Sequence, residues 1–202
     1  LTSGVNLTGS TVNTVSTVGG AQSLTITGIA DFDGTVTTSS VSVSSTSSIG
    51  ATVTTTGDQT YSGAVTLTAD AELDGDNVVV SSGGVGGAFT LTLDGASSVN
   101  VTGTVSTTKL ITQTAATIDT VNVTDLTVGG GTLTTDVGGV TVGGSLITTA
   151  AISSAGAVAV TGTSSLGGNV TSTGNTQTYT GAVTLTSGVN LTGSTVNTVS
   201  TV

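Results

Sequence analysis

The sequence predicts an all-β parallel solenoid, and three observations predict it. Apolar and hydroxyl residues alternate with a period of two in many short runs; glycines and Asp-Gly pairs interrupt those runs; and residues 1–18, LTSGVNLTGSTVNTVSTV, recur unchanged as residues 185–202. Alternation places aliphatic side chains on one face of a strand and hydroxyls on the other. Tandem recurrence is the signature of units that bury their faces against neighbours.

The runs come in order along the chain: Leu24-Thr25-Ile26-Thr27, Val41-Ser42-Val43-Ser44, Val65-Thr66-Leu67-Thr68 and Phe89-Thr90-Leu91-Thr92-Leu93. Between them stand Asp33-Gly34, Asp74-Gly75, Gly83-Gly84, Gly86-Gly87, Asp94-Gly95, Gly129-Gly130-Gly131, Gly138-Gly139, Gly143-Gly144 and Gly167-Gly168, which supply turns. No segment has helical periodicity or caps. The recurrence defines one repeat as residues 1–184, with residues 185–202 opening the next, so the chain reads as a window on a longer array. A duplication confined to the short segment is the competing explanation.

Taking coils to open near Leu24, Val41, Ala64, Ala88, Leu110, Thr132, Ile152 and Ala182 gives eight coils of about 23 residues per repeat, each with two or three short strands that pair in parallel with the coils above and below. A ten-residue phrase, Gln59–Thr68, returns as Gln177–Thr186 with nine identities, an offset of 118 residues or close to five such coils. Tandem antiparallel sandwiches and a propeller are the alternative folds. The scarcity of hairpin signals and the absence of Pro favour the solenoid, in which every strand amide donates. Disorder competes because Ser, Thr and Gly dominate, but 35% hydrophobic residues, 6% charged residues and abundant β-branched side chains favour strands.

Composition excludes several classes of function. With a net charge of -10 and Lys109 as the one cation, the chain lacks the basic clusters that bind nucleic acid or anionic membranes. No apolar run reaches the roughly 18 residues of a membrane span. The chain contains no His, Cys or Arg, so the usual acid-base, nucleophilic and phosphoryl-transfer tools are missing and no enzyme is expected. Cysteine-free chains have neither disulfides nor thiolate metal sites.

The densest acidic run, Asp70, Glu72, Asp74 and Asp76 around Gly75, approximates the opening of an oxygen-rich Ca2+ loop. It departs from that pattern in having Glu at the third position and Ser81 at the twelfth, and a solvated turn explains it as well; no other cofactor is expected. Gly83–Phe89 lacks the Asp ligand of a calcium roll, since Gly87 stands there. Asp31 and Asp33 flank Phe32 as exposed acids or, less simply, as a carboxylate pair of the glycosidase kind. Tyr61 and Tyr179 hold equivalent places in the repeated phrase and read as packing residues; Lys109 reads as a surface residue or the partner of an acid one coil away. Asn6, Asn100, Asn122, Asn169 and Asn190 open Asn-x-Thr acceptor triplets whose middle residue is Leu or Val, so an inward middle side chain would leave Asn and Thr in solvent for glycosylation.

The phrase Gln-Thr-Tyr-[Ser/Thr]-Gly-Ala-Val-Thr-Leu-Thr, followed by Asn-Leu-Thr-Gly-Ser in a Gly/Ser/Thr/Val-rich chain, resembles the β-strand-repeat exoproteins of bacteria, a group that includes filamentous-haemagglutinin-like adhesins and autotransporter passengers. The resemblance implies an extracellular, cell-surface or secreted β-helical filament that self-associates, forms matrix, or meets a receptor or glycan. A second expectation rests on the pairs Thr25/Thr27, Thr66/Thr68, Thr90/Thr92, Thr132/Thr134 and Thr184/Thr186, which would form ice-binding hydroxyl-methyl files if they shared a flat face.

Overall fold

In the computed structural model, which describes residues 1–200, the chain winds into a parallel β-solenoid with no helix. Every strand pairing among the described residues is parallel, which excludes the antiparallel sandwich. Each coil has three sides, here called faces A, B and C. Val41–Val43, from the strand Ser40–Val43, lies on face A, Ser47–Ile49 on face B and Val53–Thr55 on face C; Gln59–Tyr61 then returns to face A one rung higher, opposite Val41–Val43.

A typical side is a strand of three residues followed by a three-residue corner, as in Ser47–Ile49, residues 50–52, Val53–Thr55 and residues 56–58. Three residues allow two inward side chains and one outward, and the strands repeat that buried-exposed-buried pattern: Val36–Thr38, Val65–Leu67, Val140–Val142 and Leu146–Thr148 all carry it. Backbone hydrogen bonds run from rung to rung, for example Val41 N–H to Asp58 O at 3.0 Å and Ser44 N–H to Ile26 O at 3.0 Å.

Coils are smaller and more numerous than the sequence pattern suggested. Along face B, Val12, Ala30, Ser47, Val65, Val85, Val105, Val121, Val140, Val158, Gln177 and Val196 succeed one another, ten steps over 184 residues and a mean of 18.4. The 184-residue repeat is therefore ten coils, not eight of 23, and advances about 48 Å at roughly 4.8 Å per rung. The residues taken as coil openers fall on all three faces: Leu24, Val41 and Ile152 on A, Ala64 beside Val65 on B, Leu110 and Ala182 at C.

Several strands reach the corner on an inward hydroxyl residue, so the apolar alternation breaks off in the sequence although the strand continues. Thr38, Thr55, Thr135, Ser154 and Ser172 are all buried at such positions. Each turns its hydroxyl along the corner to donate to a backbone carbonyl two or three residues on, at Ser40 O (3.1 Å), Gly57 O (2.6 Å), Gly138 O (2.8 Å), Gly156 O (3.0 Å) and Asn175 O (3.0 Å). A small hydroxyl there fills the angle of the triangle and gives a turn carbonyl a partner; Gly57 O and Gly138 O accept in addition from Asp76 N–H and Gly156 N–H of the next rung.

Inside, a continuous core runs the length of the rod, with Phe32, Tyr61 and Tyr179 as its largest fully buried side chains. Corners set the spacing at which coils can stack. At one corner Gly144, Gly162 and Gly181 lie over one another, and a Cβ on Gly162 would sit 2.2 Å from Gly144 O. Replacing Gly162 by Ala should lower the melting temperature by the equivalent of about 1–3 kcal/mol of overpacking. The control Gly19→Ala, where an added Cβ meets nothing within 4 Å, should leave it unchanged when both are followed by circular dichroism.

Candidate functional site

The structure distributes the sequence-derived candidates along the outside of the rod and keeps one group inside. The acidic run enters the ten-residue strand Ala71–Val80 on face C and its corner, where Glu72, Asp74 and Asp76 alternate with the inward Ala71, Leu73 and Gly75. An extended strand holds its carboxylates in file instead of wrapping them round a point. Among the described residues no group of three or more acidic side chains is placed to hold a metal ion. The acids face neighbours in the next rung: Asp70 accepts from Thr90 N–H at 2.7 Å, Asp74 stands opposite Asp94, and Asp76 accepts from the Ser97 hydroxyl.

Other polar side chains do the same one coil apart. Asp58 accepts from Asn77 Nδ2 (2.8 Å), Asp31 from Asn13 Nδ2 (3.0 Å), Asp119 from Gly103 N–H (2.7 Å) and Asn169 Oδ1 from Asn190 N–H (2.9 Å). Asp125 is held most firmly, taking both the backbone N–H of Ser145 at 2.7 Å and its hydroxyl at 2.8 Å, while Lys109 lies opposite it in the adjoining rung. The Ser145 amide first, then the Ser145 hydroxyl and more weakly the Lys109 charge, hold the Asp125 carboxyl below the usual range. Asp31 and Asp33 point outward on either side of the fully buried Phe32.

All five asparagines of the Asn-x-Thr triplets are exposed, and the middle residues Val101, Val123 and Val170 are buried, with Leu7 and Leu191 half-buried in the end coils. Asn6 and Asn100 lie on face A, Asn122 on face B, and Asn169 and Asn190 at the corner leading to face A. The five Thr-x-Thr pairs are not brought together: Thr25/Thr27 and Thr132/Thr134 are on face A, Thr66/Thr68 on face B, and Thr90/Thr92 and Thr184/Thr186 on face C. No shared two-file hydroxyl lattice results.

Hidden in the sequence was the role of the repeated phrase. Gln59 and Tyr61 are buried on face A; the Gln59 amide donates to Val53 O (2.8 Å) and to Asp74 O one rung on (2.7 Å), and Tyr61 Oη donates to Gln59 Oε1 (3.0 Å). On face B, Gln177 donates to Val170 O (2.8 Å) and Thr192 O (2.8 Å), and Tyr179 Oη to Gln177 Oε1 (3.0 Å). The same clamp thus joins two successive rungs at a corner, beside register shifts at residues 75–77 and 172–176. Burial pushes both phenols far above their ordinary pKa, so they stay protonated donors. The offset of 118 residues is six coils and one side, not five coils, since Gln59 leads through Val78, Val99, Ala116, Leu133 and Ile152 to Val170 on face A before Gln177 begins face B.

Removing the clamp amide leaves two carbonyls and a phenol without partners, so Gln59→Leu and Gln177→Leu should each destabilise by at least about 2 kcal/mol in urea titrations. Ser47 and Ser164 carry buried hydroxyls with no partner, and Ser47→Ala should stabilise by about 1 kcal/mol in the same assay. For Asp125 the sign follows from a lowered folded-state pKa. Its contribution is present above the ordinary value of 3.8 and is lost as pH falls through the folded value. The stability difference between the native chain and Asp125→Asn should be flat from pH 7 to about 5 and shrink below about pH 4; a constant difference down to pH 2 would contradict it. No protein-family model, no curated protein and no solved structure matches the chain.

Proposed function

We propose that the chain is a segment of a structural fibre displayed outside the cell, on its surface or in its matrix, built from tandem solenoid repeats. The observation that carries this reading is the parallel ladder that runs along three faces, in which, among the described residues, the reactive side chains are spread along the rod and not gathered in a cleft. Two shallow concavities, about 340 and 280 Å³, are lined almost wholly by Gly, Ala, Ser and Thr, with Leu146 and Ile147 at the smaller. Such a surface offers shape and hydroxyls, and suits adhesion or self-association better than chemistry. Among the described residues no helix is long and apolar enough to cross a membrane.

Composition supports the same reading. One lysine, half-buried within the strand Val85–Thr112, leaves trypsin a single protected bond, and a chain without cysteine crosses between redox compartments unchanged. Resemblance of the Gln-Thr-Tyr phrase to bacterial β-strand-repeat exoproteins points to adhesins and matrix fibres, with a receptor or glycan as partner. Antibodies raised against the 202-residue chain should decorate intact source cells or filaments around them, and protease treatment of intact cells should remove the label. Labelling seen only after permeabilisation would contradict an extracellular role.

A further inference from the structure

The eighteen-residue segment appears in two coils that are each covered on one side, and the covered sides are opposite. In its first copy Leu7, Thr8, Thr11, Val12, Asn13 and Thr14 pair with Ile26, Thr27, Ile29, Ala30, Asp31 and Phe32 of the following coil. In its second copy the same six positions, Leu191, Thr192, Thr195, Val196, Asn197 and Thr198, pair with Val170, Thr171, Thr176, Gln177, Thr178 and Tyr179 of the preceding coil. One sequence therefore accepts a stacked neighbour on either edge. On face B the two copies hold the same phase, since Val12 and Val196 are ten whole coils apart.

We propose that the open edge of residues 191–198 is an interface whose occupant is a second copy of residues 19–184, seated as residues 23–38 are seated on the first copy of the segment, so that successive units join into one uninterrupted rod in phase. This deepens the fibre reading and rests on it. Three observations support that occupant. The edge carries half-covered apolar side chains, Val196 at 38% exposure and Leu191 half-buried, where the coils between them bury theirs fully. Residues 137–202 contain no charged side chain, so Asp31 and Asp33 of the seated coil meet no like charge across the junction. On face A the upper and lower partners of the segment differ by two residues, and the ladders along the segment already take slips of this order, one residue between Thr8 and Thr11 on the first copy and two between Ser172 and Thr176 against the second.

A doubled chain, residues 1–202 followed by a second copy of residues 19–184, tests this beside the single chain. Electron microscopy should show one straight rod longer than the single chain by about nine coils, roughly 43 Å. Val196→Asp should barely move the melting temperature of the single chain, where the residue lies at an edge, and should lower that of the doubled chain, where it would be buried. Two rods joined by a hinge, or an equal effect of Val196→Asp in both chains, would overturn the seamless junction while leaving a fibre of hinged rods intact. A single chain that is not a rod would instead overturn the fibre reading itself.

Discussion

In-register parallel pairing of each coil with the coils above and below is the constraint on which the rest of the molecule depends. Because the backbone bonds run along the axis, a winding has no stability of its own and is satisfied only by its neighbours. The rung spacing of about 4.8 Å fixes everything at the corners, where glycine files such as Gly144, Gly162 and Gly181 leave no room for side chains. Sides of three residues then expose one side chain each, which gives long surfaces only one outward residue wide on each side. Among the described residues the surface is consequently built largely of files of Thr, Ser and Asn, interrupted by carboxylates such as Glu72 and Asp74 on face C.

The interior obeys a second rule that follows from the first. A triangular section of 18 residues encloses a thin core, so an inward polar group has partners within reach only in its own corner or in an adjoining rung, and the hydroxyls of Ser47, Thr112 and Ser164 find none. Thr55 and Ser154 do the former through Gly57 O and Gly156 O; Gln59 and Gln177 do the latter, each tying carbonyls of two rungs with a tyrosine hydroxyl completing the amide. The clamp keeps its geometry on face A and on face B, which means that these two faces are interchangeable to the phrase. A phrase can be reused after six coils and one side without changing what it contacts.

Much of this was legible in the sequence. Period-two runs such as Val65-Thr66-Leu67 gave the strands, the glycine breaks gave the corners, and the recurrence of residues 1–18 gave an array. The outward asparagines of the Asn-x-Thr triplets also followed from alternation. Coil size did not, because Thr38, Thr55, Thr135 and Ser172 look like solvent-facing residues and lie in the core; hydrophobicity cannot report a side chain whose hydroxyl is satisfied by its own corner. The clamp was hidden for the same reason, since a buried Gln bridging residues 53 and 74 depends on which rungs adjoin. Nor could the sequence place the Thr-x-Thr pairs on different faces until the 18-residue winding was known.

Charge follows the same logic on a longer scale. All eleven acidic residues lie between Asp31 and Asp136, and several direct their carboxylates to amides or hydroxyls one coil away, so the groups that carry the negative charge of the rod also stitch its rungs together. The measurement that tests the central claim most directly is a set of through-space NMR contacts between backbone amides of the labelled 202-residue chain. In-register stacking predicts contacts at separations of 16 to 21 residues on all three faces, such as Val105 with Val121, Leu24 with Val41 and Val78 with Val99. Contacts whose separations shrink steadily along paired segments, the mark of antiparallel hairpins, would contradict it.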